Sequence, residues 1–355
     1  MQSPNPITSA ALMTQIGTPV AQGPRHAPVR VRRSDRLSGR GGPRRLEVHR
    51  GASTRPEATD HFHRHRHVAA RLQDRRLLGG RLRPTVLETH DYAIRGAIEA
   101  EDQIVVVTHR GSTRFPRHLL ERARQAGAST VAVTGRGAQN PGGDIVLRTC
   151  TLERAGTHTV SYTTALAVLA RLVARLVGGP AAAAFGSALN DMSTAIAQTL
   201  ANPAPLDVLP RLVNKDPVFL TGFGIDELSV VEALKIKEGA YLWAEGMSVE
   251  LALHGTPAVF EPRNAATVAI PDQDDGGRTE ALLTMLKDLN IHAITLGAGD
   301  YDLPFAKVGY LLRPLVSIVP IQRLVAELAR RRFSNPDTTR ADIEPYKSAL
   351  ERIRL

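Results

Sequence analysis

The stretch QIVVVTHRGSTRFPRHLLERARQAG, residues 103–127, contains the signals that decide the fold. Its apolar run over 103–108 predicts a buried strand, and HRGST predicts a turn after it. FPRHLLERARQAG predicts a helix with Leu119, Leu120 and Ala123 on one face, ended by Gly127. The same order of strand, turn and helix recurs over 216–242, beginning with DPVFLTGFG, so the sequence predicts two similar halves.

Other segments extend this alternation of strands and helices. Strands are predicted at STVAVTG (129–135), DIVLRT (144–149), TVAI (267–270), HAITLG (292–297) and GYLLR (309–313). Helices are predicted at 157–179, which is apolar enough to require burial, and at 180–202, 279–290 and 316–332. Such alternation indicates an α/β protein with parallel sheets.

The positive charge of the chain is concentrated in one segment. The 355 residues carry a net charge of +10, whereas residues 21–90 alone hold 17 Arg, no Lys and 6 Asp or Glu. The rest of the chain is close to neutral, so its body carries no nucleic-acid signature of its own.

Arg, His, Gly and Pro dominate this basic segment, and they do not build a hydrophobic core. Three interpretations remain open: a disordered, solvated arm, a stretch translated out of frame from a GC-rich gene, or an arm that binds nucleic acid through phosphates. The alternating His61, His63, His65 and His67 have no fixed set of further ligands, so no metal site is predicted.

Composition narrows the class of protein. The single cysteine, Cys150, excludes a disulfide framework and a cysteine-based zinc site. No uninterrupted apolar run reaches the ~18 residues that span a bilayer, and residues 1–20 do not resemble a secretory signal. We therefore expect a cytoplasmic protein without membrane contact, metal or cofactor.

The turn after the first predicted strand has the features of an anion site. Unpaired N–H groups gather where a strand ends and a helix begins, and Ser112 and Thr113 add hydroxyl donors while Arg110 adds charge. A Gly-Ser-Thr sequence before a helix is also a common N-cap, so both interpretations stay open for this turn.

A second group of polar residues lies in EALKIKEGAYLWAEGMSVELALHG, residues 232–255, which we expect to begin as a half-buried helix. Lys235 and Glu238 lie three apart, and His254 follows. A partly desolvated carboxylate can move a proton between neighbouring carbons, a lysine beside it tunes its charge, and a histidine can open a sugar ring near neutral pH. The alternative is a surface ion pair and a histidine that caps a turn.

These stretches resemble the sugar isomerase (SIS) domain pair of glucosamine-6-phosphate synthase, a glutamine–fructose-6-phosphate aminotransferase. EALKIKE, AE and HG resemble its second half, and VVVTHRGSTRFPRHLLERARQAGASTVAVTG and ERAGTHTVSYTTAL resemble its first, over residues 85–340. The resemblance implies two flavodoxin-like domains in tandem and a homodimer in which the histidine serves the neighbouring subunit.

The resemblance also implies a role for each matched residue. Glu238 matches the base that moves the proton, Lys235 the lysine beside it, and His254 the group that opens the ring. The phosphate loop comprises Thr108, His109, Arg110, Gly111, Ser112 and Thr113. Glu153 matches a glutamate at the substrate site.

The chain departs from the family in several places. The first strand of the first half, with its Gly-Thr-Ser or Gly-Ser-Ser turn, is expected near DHFHRHRH (60–67), where no such motif occurs, and Arg110 replaces a serine of the phosphate loop. Gln2 stands where the glutaminase would have its cysteine, so we expect no glutaminase domain. Near the place of the Schiff-base lysine the tail offers Arg340, with Lys347 later.

The sequence thus predicts an Arg- and His-rich segment over 1–84, a first and incomplete SIS domain over 85–200, and a second over 201–355. The function expected is proton transfer between the first and second carbons of a phosphorylated ketose or aminosugar. The alternatives are a non-catalytic sugar-phosphate-binding protein and a nucleic-acid-binding protein that uses the Arg-rich arm.

Overall fold

A computed structural model of the chain describes residues 86–352. The predictions for 1–84, including the three interpretations of the basic segment, therefore lie outside the described residues.

The first sheet is parallel and has the order β1-β2-β3. Its strands are β1 (Gln103–Val107), β2 (Ser129–Arg136) and β3 (Ile145–Thr151). The helices of this part of the chain are α1 (Thr89–Arg95), α2 (Arg114–Ala126), α3 (Val160–Val177), α4 (Gly179–Ala188) and α5 (Met192–Ala201). As predicted, α2 buries Leu119, Leu120 and Ala123 and ends at Gly127, which adopts the left-handed conformation.

The second sheet is also parallel and has the order β5-β4-β6-β7-β8. Its strands are β4 (Val218–Gly222), β5 (Ala244–Ser248), β6 (Ala265–Ala269), β7 (His292–Gly297) and β8 (Leu303–Pro304). The helices here are α6 (Glu227–Val230), α7 (Ala233–Lys235), α8 (Val249–Leu253), α9 (Arg278–Asp288), α10 (Arg313–Arg332) and α11 (Tyr346–Glu351). The predicted α/β class with parallel sheets is confirmed.

The largest apolar cluster crosses from the helices that follow the first sheet into the second sheet. It includes Leu166 of α3, Phe185 of α4 and Ile196 of α5, together with strand residues such as Leu220 and Ile294. Because α10 lies within this cluster and buries thirteen of its twenty residues, it is the central helix of the second half.

The predicted helix that starts at Glu232 is wrong in its extent. After α7 the chain forms a π-helical turn over Ile236–Ala240, and Tyr241 takes a left-handed φ of 57°. Strand β5 follows and pairs with β4 in parallel. Pairing with the sheet, a tertiary interaction, therefore overrides local helix preference here.

Two further predictions are corrected. GYLLR is not a strand: Tyr310–Leu312 forms a 3₁₀ turn, and α10 begins at Arg313 with Pro314 in its first turn. Proline is favoured at this position because its φ already suits a helix and the N–H that it lacks would have no partner within the helix. The helix predicted over 180–202 is divided by a 3₁₀ turn at Leu189–Asp191 into α4 and α5.

Helix α3 is the one described helix with the length and apolar composition of a membrane span. Arg171 and Arg175 interrupt its sequence, which is why no uninterrupted apolar run was expected there. Only 28% of this window is buried and most of its other residues are partly buried, so the helix is less buried than the sequence predicts. A single helix of this kind is weak evidence for a membrane location.

Candidate active site

Lys235 and Glu238 form a buried ion pair. The lysine Nζ lies 3.2 Å from Oε2 of the glutamate, and the two side chains are 10% and 8% exposed. Lys235 ends α7 and Glu238 lies in the π-helical turn. This burial excludes the surface ion pair that the sequence left open. Each charge would be costly to bury alone, so each side chain compensates the charge of the other.

The residue that follows Glu238 in the π-helical turn, Gly239, is closely packed. A Cβ added at Gly239 would lie 2.6 Å from Cγ1 of Val325, 3.5 Å from Thr157 and 3.6 Å from Pro336. Helix α10, the loop after β3 and the C-terminal segment thus all contact the residue that follows Glu238. This position requires glycine, and its contacts fix where the Glu238 backbone lies.

A third charged residue precedes the pair on the same segment. Glu232 is 2% exposed, and its Oε2 accepts a 3.2 Å hydrogen bond from Nε2 of Gln322 on α10. Burial raises the pKa of Glu232 to about 7, although Lys235 and the Gln322 hydrogen bond act to lower it. Glu238 and Glu153 raise it further.

The loop after β1 is shaped by its glycine and by a hydroxyl pair. Gly111 has a φ of +68°, and a Cβ there would lie 2.2 Å from the carbonyl oxygen of Gln139, so only glycine fits. The hydroxyls of Thr108 and Thr113 are 2.9 Å apart. Thr113 is the N-cap residue of α2 but makes no capping hydrogen bond with its side chain. Its hydroxyl forms a hydrogen bond with that of Thr108 instead.

The remaining polar side chains of this loop differ in exposure. Arg110 and Ser112 are exposed, whereas Thr108 is buried and His109 partly buried. Residues 108–113 form one turn at the carboxyl end of β1, beside the N-terminus of α2. The anion site at this turn stays a prediction.

His109 connects this loop to the end of β3. The main-chain N–H of Glu153 donates a 2.8 Å hydrogen bond to Nε2 of His109. Because that nitrogen accepts, the neutral ring carries its proton on Nδ1. Burial lowers the pKa of His109, and Arg110 lowers it further, against the attraction of Glu153.

The carboxylate of Glu153 caps helix α3. One oxygen accepts from the N–H and hydroxyl of Thr159 at 2.9 and 3.0 Å and from the N–H of Val160 at 3.3 Å. The other accepts from the N–H and hydroxyl of Ser161 at 2.9 and 2.8 Å. Burial raises the pKa of Glu153, but these hydrogen bonds outweigh it and hold the pKa below its usual value.

His158 lies between the loop and the ion pair. Its ring makes an edge contact with that of His109, with centroids 5.3 Å apart, and its backbone has a left-handed φ of 43°. Burial lowers the pKa of His158 to about 4, against Glu153, and the charges of Lys235 and Arg110 contribute to the lowering. His158 is therefore neutral at physiological pH.

The two halves of the chain thus contribute to one group of residues. Thr157 lies beside Gly239, Lys235 acts electrostatically on His158, and Glu153 acts on Glu232. The loop 153–159 connects the turn after β1 with the π-helical turn. It was not predicted to have this role.

The C-terminal segment lies over the same region. The N–H of Gly156 donates to the carbonyl oxygen of Asp337 at 2.8 Å, and Ser334 donates its hydroxyl to the carbonyl oxygen of Gly239 at 2.6 Å. The Arg340 guanidinium packs between the rings of Tyr241 and Tyr346, 4.4 and 4.5 Å from their centroids. Arg340 is therefore held by aromatic rings, and Lys347 is exposed.

The structure does not bring His254 into this group. Its side chain is 69% exposed and its Nε2 lies 2.7 Å from Glu250, which also binds Arg278. Within one chain, His254 lies on an exposed surface at the end of α8.

The turn after β4 differs from the turn after β1. Asp226, 1% exposed, accepts two 2.9 Å hydrogen bonds from Arg313, which also donates to the carbonyl oxygen of Ile270. This internal ion pair fills the carboxyl end of the second sheet. Of the two strand-turn-helix units, the first therefore has the more open turn.

Sequence reasoning missed Glu232 and His158. Glu232 lies three residues before Lys235, just as Glu238 lies three after, and this spacing is the signal that was available. His158 had no such signal, because a histidine between two threonines has no pattern that separates a buried from an exposed ring.

Comparisons with known proteins concern the chain as a whole. No protein-family model matches the chain. Over 272 residues it is 26% identical to the glutamine–fructose-6-phosphate aminotransferase (isomerizing) of Thermococcus kodakarensis, covering 70% of this chain and 44% of that enzyme. This chain resembles the isomerase half of glutamine–fructose-6-phosphate aminotransferase. The resemblance predicted from the sequence is thus confirmed, and the chain spans less than half the length of that relative.

Solved structures share the fold. The C-terminal domain of glucosamine-fructose-6-phosphate aminotransferase from Francisella tularensis superposes with a TM-score of 0.63 at 16% identity, covering 70% of this chain and 76% of that one. The tagatose-6-phosphate ketose/aldose isomerase of Escherichia coli has a TM-score of 0.57 at 16% identity, covering 74% and 78%. At these identities the likeness concerns the fold alone.

Proposed function

We propose that this chain catalyses proton transfer between the first and second carbons of a phosphorylated ketose or aminosugar. We also infer that residues 85–200 and 201–355 are two SIS domains in tandem, the first of them incomplete. The observation that carries the proposal is the buried Lys235–Glu238 pair, 3.2 Å apart, next to the loop that connects it to the turn after β1.

Glu238 is the proposed base. In the open-chain ketose it takes a proton from C1, the C–H electron pair forms the C1–C2 double bond, and the carbonyl oxygen on C2 receives the negative charge. A proton then passes from the hydroxyl on C1 to the charged oxygen on C2. The carboxylic acid of Glu238 returns its proton to C2, and the electron pair on the C1 oxygen forms the new carbonyl group. A buried carboxylate suits both steps, because little water competes for the proton.

Lys235 is the proposed electrostatic partner. Its ammonium balances Glu238 before the reaction. When Glu238 becomes neutral, the same charge is available to the oxygen of the enediolate. Stabilising a charge that develops during the reaction lowers the barrier without tightening the binding of the substrate.

The turn at 108–113 is the proposed phosphate site. Thr108, Ser112 and Thr113 supply hydroxyls, Gly111 allows close approach of the main chain, Arg110 supplies charge and His109 shapes the loop. The five hydrogen bonds that Glu153 accepts engage its carboxylate. We therefore propose that Glu153 shapes the substrate site through the loop 153–159 and does not bind the sugar with its side chain.

His254 is proposed to open the sugar ring in a second copy of the chain. Its ring is 69% exposed and pairs with Glu250 on the same surface, so it is accessible to another subunit. A homodimer is therefore part of the proposal, and a monomer with full activity would contradict it.

Amination is not part of the proposal. A Schiff base needs a neutral amine, whereas Arg340 carries a guanidinium that stays charged and is packed between two tyrosines. We propose isomerisation or rearrangement of the sugar without transfer of ammonia by this tail.

Exchange of hydrogen for deuterium at C1 and C2 tests the proposal. Fructose-6-phosphate and glucosamine-6-phosphate are incubated with the chain in deuterated water, and label in the sugar is measured by NMR. Glu238→Gln should lower the exchange rate by about 100-fold or more. The control is Glu245→Gln, which replaces a carboxylate on β5 that pairs with Lys237. Full exchange in Glu238→Gln with every sugar that reacts would overturn the proposal.

The second candidate is a non-catalytic sugar-phosphate-binding protein. The exposed position of His254, away from the ion pair, favours it. A rise in melting temperature with sugar phosphate, without exchange at saturating chain concentration, would support binding alone.

A further inference from the structure

Three charged residues follow one another at intervals of three. Glu232, Lys235 and Glu238 are all buried, and the N–H of Lys235 donates a 2.8 Å hydrogen bond to the carbonyl oxygen of Glu232. Residues three apart lie on neighbouring positions of a helical surface, so the lysine is placed between two carboxyl groups.

Among the described residues, the ammonium of Lys235 is the one positive charge placed beside the carboxyl groups of Glu232 and Glu238. The nearby carboxylate of Glu153 is satisfied by the N-terminus of α3 and needs no share of the lysine. A buried carboxylate without a compensating charge is costly, so Glu232, which makes no ion pair with a described residue, retains its proton near neutral pH.

The surroundings assign this proton to Glu232. Glu238 has the close contact with Lys235, whereas Glu232 is hydrogen-bonded by the neutral amide of Gln322 on α10. The phenol of Tyr162 on α3, which donates to the carbonyl oxygen of Leu228, is the remaining titratable group that interacts with it. Burial without a contacting cation among the described residues favours the neutral acid, and the raised pKa of Glu232 agrees, although the Gln322 hydrogen bond itself acts to lower that pKa.

We propose that Glu232 is a positioning residue that holds this proton, so that Lys235 stays with Glu238 and Glu238 stays ionised as the base. The inference rests on the proposed function only where it concerns turnover. If Glu232 loses its proton, a second carboxylate competes for the single ammonium. Lys235 is then drawn away from Glu238, and the reaction slows as the pH rises through neutrality.

Titration of the glutamate carboxyls tests the proton directly. In protein labelled with ¹³C at the glutamate side chains, one carboxyl should titrate near neutral pH, and its resonance should vanish in Glu232→Gln. Glu245→Gln is the matched control and should leave the resonance in place. Absence of any glutamate that titrates near neutrality, or its persistence in Glu232→Gln, would overturn the inference.

The pH profile of exchange tests the effect on the base. The wild-type rate should fall about tenfold for each pH unit above neutrality, and Glu232→Gln should keep a rate within about threefold at pH 7 while losing that fall. A purely structural role would lower the rate at every pH and leave the shape unchanged, which would overturn the inference. A chain without exchange, but with the titrating resonance assigned to Glu232, would contradict the proposed function and support the assigned proton.

Discussion

The main-chain N–H of Glu153 donates a 2.8 Å hydrogen bond to Nε2 of His109 and so joins the end of β3 to the turn after β1. The same glutamate caps α3 with its carboxylate. One residue therefore fixes the relative positions of the proposed phosphate loop, a helix N-terminus and the loop that reaches the π-helical turn.

Replacing His109 tests this connection. His109→Ala leaves the N–H of Glu153 without its acceptor and should lower the free energy of unfolding by about 1–3 kcal/mol. His109→Gln supplies a side-chain carbonyl and should lose less than about 1 kcal/mol. Urea denaturation at pH 7 measures both. Equal losses would show that the ring contact with His158 matters, not the hydrogen bond.

The cap made by Glu153 should appear in the pH dependence of stability. The pKa of this carboxyl is lowered in the folded chain, so its contribution is present above the unfolded pKa near 4.5 and is lost as the pH falls through the folded value. Glu153→Gln should lower the free energy of unfolding by about 1–2 kcal/mol at pH 7 and by less at pH 3. Urea titrations at the two pH values measure this, and an equal loss at both would contradict the charged cap.

His158 should destabilise the chain in mild acid. Its pKa of about 4 in the folded chain lies below the usual 6.5, so the unfolded chain binds a proton first as the pH falls from 6.5 to 4. The loss should approach about 2 kcal/mol, allowing for partial contact with water. His158→Asn, which tolerates the left-handed backbone, should remove this part of the pH dependence. If the melting temperatures of the wild type and of His158→Asn change by the same amount between pH 4 and 7, the prediction is wrong.

Glu232 should change the stability with pH in the opposite direction to His158. Because burial raises its pKa to about 7, the folded chain binds the proton more tightly than the unfolded one between about pH 4.5 and 7. Stability therefore falls as the pH rises through this range, by about 3 kcal/mol in all. Glu232→Gln should be more stable relative to wild type at pH 8 than at pH 5, measured by urea denaturation. A constant difference between the two chains would refute the buried acid.

The glycine after Glu238 should be intolerant of a side chain. Gly239→Ala places a methyl group 2.6 Å from Val325 and should lower the free energy of unfolding by about 1–3 kcal/mol, together with the exchange rate. Gly186→Ala on α4 is the control, because nothing lies within 4 Å of its Cβ position, and it should be neutral or slightly stabilising. Differential scanning calorimetry compares the two, and equal effects would show that the packing at Gly239 is not decisive.

Local patterns predicted the elements that are long or strongly apolar. Helix α2 follows from the spacing of Leu119, Leu120 and Ala123 and from Gly127, and β7 was predicted with its observed ends. The elements around the site were harder. Strand β5 is missed because its residues pair with β4 only after the π-helical turn has redirected the chain. GYLLR has the apolar residues of a strand, but α10 begins at its last residue, Arg313, with Pro314 in the first turn.

The sequence by itself determined the α/β class, the parallel sheets and the resemblance, since these depend on periodicity, turn residues and matched stretches. It also placed Lys235 close to Glu238, because three residues of helical chain leave little choice. Only the tertiary structure decided that this pair is buried, that Glu232 joins it, that Glu153 caps α3 and that His254 lies apart. The physical reason is that burial and charge compensation depend on which segments pack together. Gln322, Thr157 and Pro336 are distant from Glu238 along the chain, and only folding brings the segments that carry them to the π-helical turn.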